Sequence, residues 1–208
     1  MSAVSEITHS NGTLTANFNG QILNLRQITV QQFDSMIENG VFNENDQIEL
    51  LNGAIIEKML KGTKHSAATD RIARVFYRQF GENVFIRNQN PVWLDKFSEP
   101  EPDIVLVIPR ADEYENSHPI PKEILLILEV SDSILGFDRN IKGEAYSRAG
   151  INQYLVLNIQ DKTIEDYREP NPDGFQSKQI YRKGQEFNLV AFPQIKIQVN
   201  DFFPIERN

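Results

Sequence analysis

Cysteine is absent from the 208-residue chain, which excludes disulfides, thiolate metal sites and cysteine nucleophiles. Long apolar stretches are absent too. The longest runs, such as residues 124–128, have five residues, against the roughly 20 a membrane helix needs. The opening MSAVSEITHSNG is polar and argues against a secretory signal. These absences point to a cytoplasmic protein of bacterial type with no membrane contact. A basic excess is also missing: 21 Lys and Arg stand against 29 Asp and Glu, for a net charge of -8. A protein that grips duplex DNA usually shows a basic footprint, because each neutralised phosphate releases counterions. The balance lowers the expectation of tight nucleic-acid binding, although carboxylates gathered at a metal would account for part of it.

What is present is an ordinary globular mixture, 40% hydrophobic and 24% charged, with no repeat or low-complexity tract. Residues 1–27 read as a weakly ordered N-terminal extension or peripheral strands, with a hairpin over 13–25 around Asn19-Gly20. Residues 28–208 read as one domain. Thr29 and Gln32 form a capping-box pattern before a short helix over Val30, Phe33, Met36 and Ile37 that stops at Gly40. Asn52-Gly53 marks a hairpin between residues 47–51 and 54–59. Apolar residues Ala68, Ile72, Val75, Phe76 and Phe80 recur at helical spacing over 65–80, and 84–94 reads as a strand or bent strand pair with Pro91 at an edge or bulge. Residues 103–108 (DIVLVI) and 124–130 (ILLILEV) read as strands buried on both faces, joined by a charged, proline-rich surface loop over 110–122. A helix over 140–149, with Ile141, Ala145 and Ala149 on one side and Asp138 as its cap, leads to a third buried strand at 153–158. That succession predicts a βαβ unit with parallel pairing and a right-handed connection. Antiparallel edge strands are expected at 163–167, 179–182 and 195–199. The fold class is therefore α/β or α+β, a mixed central sheet flanked by helices, with an N-terminal helix and β-hairpin added.

Glu129 follows five consecutive aliphatic residues. A carboxylate there costs several kcal/mol to bury unless it is paired or holds a metal; the bland alternative ends the strand at Leu128 and leaves Glu129 solvated. Asp103 follows Pro102 at the mouth of another apolar strand. Alone it reads as a turn residue, but adjacent strands lie about 4.8 Å apart, so it and Glu129 can share one hard cation. Lys142, in the following helix, would ordinarily be solvent-exposed.

In their order, Pro102-Asp103 and Glu129-Val130-Ser131 resemble the PD-(D/E)XK motif of the restriction-endonuclease-like superfamily. Ser131 stands where the motif lysine belongs, and Lys142 fits a branch in which that lysine has moved to the next helix. The wider series Glu49-Leu50-Leu51-Asn52-Gly53, His65, Glu101 to Val105, Glu129 to Ser131, then Lys142 with Tyr146, Gly150 and Tyr154, resembles a large bacterial family of restriction-endonuclease-like proteins over residues 28–200. The resemblance implies a helix–sheet–helix core with Mg²⁺ or Mn²⁺ held by Asp103 and Glu129. It also implies a metal-activated water that hydrolyses a DNA phosphodiester, and Lys142 as the catalytic lysine. Glu49 is a candidate further acid. His65 is either a site residue or the opening residue of a helix with a structural hydrogen bond. Glu99 and Glu101 are expected to be solvated, His118 suggests no role, and Tyr146 and Tyr154 are expected to pack in the core. Phe192, Phe202 and Phe203 give an apolar excess that would suit a homodimer contact. Two rival expectations stand beside the endonuclease: a catalytically inactive nuclease-fold protein used in binding or assembly, and a hydrolase of another phosphate ester.

Overall fold

The computed structural model describes residues 4–10, 13–43, 45–132 and 135–204. They divide into two compact units, Met1–Met59 with Leu94–Pro100 and Leu60–Trp93 with Glu101–Asn208.

In the first unit, β1 (Val4–Ser10), β2 (Thr13–Phe18) and β3 (Gln21–Leu25) make an antiparallel sheet in that order. Helix α1 (Val30–Glu38) starts as the sequence requires. Gln32 N donates to Thr29 Oγ1 at 3.2 Å and Thr29 N to Gln32 Oε1 at 3.0 Å, so two helix-end donors are satisfied reciprocally. Strands β4 (Ile48–Leu51) and β5 (Ala54–Glu57) pair antiparallel around Asn52 and Gly53. Both turn residues have positive φ, 54° and 79°, as a two-residue hairpin turn of this hand demands. Val30, Phe33 and Leu50 form a small core. The returning segment Leu94–Pro100 adds backbone bonds from Gly53 N to Phe97 O and from Glu99 N to Leu50 O. Glu99 is buried there, not solvated as expected, because that bond draws its backbone beside β4.

The second unit begins with α2 (Thr63–Phe80) and continues through β6 (Phe85–Asn88), β7 (Ile104–Val107) and β8 (Ile124–Ser131). A helical segment follows: α3 (Leu135–Phe137), a π-helical stretch (Asp138–Lys142) and α4 (Gly143–Arg148). Then come β9 (Gln153–Asn158), β10 (Thr163–Arg168) and β11 (Ser177–Arg182), and a hairpin of β12 (Glu186–Leu189) and β13 (Phe192–Gln198). The main sheet has the order β11-β10-β9-β8-β7-β6. Strands β8 and β9 run parallel, as a crossover through a helical segment predicts, and the remaining neighbours are antiparallel. The result is the mixed α+β architecture expected from the sequence.

Strand alternation sorts the side chains of this sheet onto two faces. Ile86, Ile104, Leu106, Leu126, Leu128, Val130, Leu155 and Leu157 pack with Ile72, Val75, Phe76 and Phe80 of α2 in the main core. The intervening residues share the opposite face, and the register lines up Arg87 with Val105, Val105 with Ile127, and Val156 with both Glu129 and Glu165. Phe202 packs on Phe76 and Phe187, and Phe192 on Phe80. Phe203 also packs against this core, so these rings are used inside the unit and no longer hint at a homodimer contact.

The segment before β9 differs from expectation. The π-helical stretch inserts an extra residue per turn, which shifts the faces of the segment. Ile141 is left 41% exposed while Asp138, Lys142, Ala145 and Tyr146 are buried. Asp138 lies within the stretch instead of capping it, and its carbonyl accepts from Tyr154 OH at 3.1 Å.

Candidate functional site

Asp103 stands just before β7. Gln89 N donates to its carbonyl, continuing the β6–β7 ladder by one step, and the Ile104–Leu128 register carries on to set Asp103 against Glu129. The two side chains engage each other's strands. Asp103 N donates to Glu129 Oε2 at 3.2 Å, and Val130 N donates to Asp103 Oδ2 at 2.8 Å. Both acids are only 3% exposed, so each needs compensation from close by.

For Glu129 that compensation comes from the crossover segment. Lys142 Nζ lies 2.9 Å and Tyr146 OH 2.8 Å from Oε1. The two donors are four residues apart, hence neighbours on one helix side. For Asp103 it comes from the start of α2 and the loop before it. His65 Nε2 lies 2.9 Å from Oδ2 and Lys61 Nζ 3.0 Å from Oδ1. Burial opposes ionisation of Asp103. The His65 hydrogen bond, the Lys61 charge and the Val130 N–H outweigh it, and hold the carboxyl well below the usual carboxylate range. Facing a carboxylate, His65 Nε2 acts as the donor; among the described residues its Nδ1 is buried with no hydrogen-bond partner. Ser131 Oγ is likewise buried and without a partner among the described residues, two residues beyond Glu129 on the same strand face.

A further acid on this face braces the crossover segment. Glu165 on β10 binds Arg139, Tyr167 OH at 2.6 Å and Lys178 Nζ at 2.9 Å. Burial alone would raise its carboxyl, but these donors bring it down to about 2. Arg139 belongs to the π-helical stretch that ends in Lys142, so this pairing fixes the backbone from which Lys142 projects.

The model of a family described as Uma2, putative restriction endonuclease, matches residues 30–200. The chain belongs to this family. Among solved structures it resembles a putative nuclease of DUF820 from Anabaena variabilis, at 19% identity over 85% of this chain and 97% of that one, with a TM-score of 0.64. At that identity the likeness bears on the fold, which is nuclease-like. Comparison with curated proteins gives no match.

Within this Uma2 family member, the structure gathers four of the five residues singled out from sequence: Asp103, Glu129, Lys142 and His65. Glu49 is buried on β4, opposite Ile56, in the other unit. Two residues of the group escaped the sequence reading. Lys61 sits in a polar loop with no periodic signal, and only its place four residues before His65 marks it. Tyr146 was expected to pack in the core, which it does against Tyr154 with ring centroids 5.0 Å apart. Its hydroxyl nonetheless reaches Glu129, and its spacing from Lys142 was the available clue.

Proposed function

We propose that the chain is a Mg²⁺-dependent endonuclease, able to use Mn²⁺, that hydrolyses DNA phosphodiester bonds through Asp103, Glu129 and Lys142. The observation that supports this most is the convergence of two buried carboxylates with one buried lysine, Lys142 Nζ lying 2.9 Å from Glu129 Oε1. Among the described residues there is no cluster of three or more His, Asp or Glu suited to a metal. Mg²⁺ commonly takes only one or two carboxylates and keeps its remaining waters, so Asp103 and Glu129 are a sufficient donor set. The Lys61 ammonium on Asp103 Oδ1 occupies the position of a positive counter-charge, and the two orphaned polar atoms nearby in sequence, His65 Nδ1 and Ser131 Oγ, leave hydrogen-bonding capacity unused. When bound, the metal supplies Lewis acidity and a water of lowered pKa.

The chain's own residues do the rest. Asp103 stays anionic and presents Oδ1. His65 fixes the orientation of its carboxylate through Oδ2. Glu129 fixes Lys142 and Tyr146, so that the ammonium is held ready to steady charge developing on a phosphate. Pairing into a homodimer, which would bring two sites to two strands, is a proposal for sedimentation to test.

The second reading is an inactive nuclease-fold protein. It is favoured by Ser131 in the usual lysine position and by protein donors already seated on both carboxylates. Mn²⁺ calorimetry and cleavage of single-stranded, duplex and branched DNA separate the two. Wild type is expected to bind Mn²⁺ and cut, Asp103→Asn to lose both, and Lys142→Ala to bind but cut about 10²–10³-fold more slowly. Glu49→Gln in the same assays tests Glu49 as a further acid. Wild type that binds no divalent cation sinks the catalytic proposal.

A further inference from the structure

Among the described residues, Arg87 is a buried cation without an acid. It lies on the edge strand β6 and is 9% exposed, and its Nε has no hydrogen-bond partner. It meets His118 Nδ1, 3.4 Å from Nη2, and the Tyr114 ring, whose centroid is 5.7 Å from Cζ. Desolvation is the main influence on its charged form, opposed only by Tyr114; no carboxylate enters. Other arginines of this unit are served differently: Arg110 pairs with Asp112 and Glu123, Arg139 with Glu165, and Arg168 with Asp166. In a chain with 29 acids and 21 bases, a buried guanidinium left to an imidazole and a ring is an anomaly that calls for an explanation.

Its position supplies one. Arg87 is aligned with Val105, two residues along from Asp103 and on the sheet face that carries Glu129. Strand spacing and rise put the Arg87 Cα about 8 Å from that of Asp103. Guanidinium is also the side chain best matched to a phosphate, offering a planar fork of donors. We infer that Arg87, backed by His118 and Tyr114, is an anion-receiving site for a phosphate group beside the acid pair. That the phosphate belongs to a nucleic-acid backbone rests on the proposed nuclease function; the anion site itself does not. His118 holds Arg87 through Nδ1, and Tyr114, whose hydroxyl donates to Ile108 O at 2.7 Å, gives the guanidinium a fixed wall.

The sign of a stability change tests this. A buried charge kept for a ligand is a burden when the ligand is absent, so Arg87→Met should raise the melting temperature by a few degrees in phosphate-free buffer. Inorganic phosphate should then stabilise wild type and not Arg87→Met, with Arg87→Lys between them. Binding of a short duplex oligonucleotide in EDTA, followed by anisotropy, should weaken about tenfold in Arg87→Met, and the slope of log K against log salt should fall by about one. A destabilised Arg87→Met, with phosphate stabilising it as much as wild type, would make Arg87 purely structural and overturn the proposal. If phosphate acts through Arg87 but duplex does not bind wild type at all, the anion site stands and its assignment to nucleic acid falls.

Discussion

Lys142 and Glu129 are buried together, and breaking such a pair from one side leaves the other charge stranded. Lys142→Met should therefore cost about 3–5 kcal/mol in urea unfolding without divalent cation. Saturating Mn²⁺ should recover much of that loss if Glu129 is a ligand, because the ion then supplies the missing positive charge; a deficit unchanged by Mn²⁺ removes Glu129 from the metal site. Glu99 makes a separate prediction in the first unit. Burial first, and the Asp34 charge second, push its carboxyl up from 4.5 to about 7. A carboxyl raised on folding contributes stability that is complete below its unfolded value and lost as pH rises through its folded one. Wild-type stability should thus decline between roughly pH 4.5 and 7. Glu99→Gln should flatten that decline, matching wild type near pH 4.5 and exceeding it at pH 8 by about 1–2 kcal/mol after allowance for solvent screening. Urea midpoints across the pH series measure it, and parallel pH profiles would refute it.

At the scale of elements, the β4–β5 hairpin is the most constrained piece. Gly53 has φ 79°, and a Cβ there would lie 2.5 Å from Gln27 Cβ. Gly53→Ala therefore combines a left-handed backbone penalty with a clash at the base of another side chain, and should lower stability by about 2 kcal/mol or more in chemical denaturation. This hairpin was legible because Asn-Gly admits few alternatives, and α1 because Thr29 and Gln32 leave their marks in the sequence. The π-helical stretch was not. Its extra residue is set by what Lys142 and Tyr146 must reach across space, while local periodicity favours Ile141 facing inward. Strand β12 was missed for a related reason: its four residues, Glu186–Leu189, owe their form to pairing with β13, a partner that the local pattern does not announce.

Over the whole chain, charge would limit how the proposed nucleic-acid substrate is held. With a net charge of -8, contacts to phosphates should be few. Raising salt from 50 to 200 mM should then weaken duplex binding by less than about tenfold, against the roughly 10³–10⁵ lost by proteins that make 6–10 phosphate contacts. A steep slope in a salt titration would reveal a basic surface that the composition hides. The same contrast separates what could be read of the site from what could not. Two carboxylates embedded in apolar strands stand out against their background, since burial of an acid demands a reason. The lysine on Asp103, Arg87 and the histidine beside it carry no such contrast in a linear sequence; only the folding of loops onto strands brings them to their partners.

The parallel pairing of β8 with β9 has a consequence for how the protein is made. The chain cannot turn directly from one strand into the other, and returns first through the segment that carries Arg139, Lys142 and Tyr146. A nascent chain that has completed β7 and β8 thus holds both acids without their lysine. Pairing β9 beside β8 brings the chain back past the sheet by way of the segment whose Lys142 meets Glu129. For this Uma2 family member, the acid pair is thus complete in the chain before the lysine that joins it.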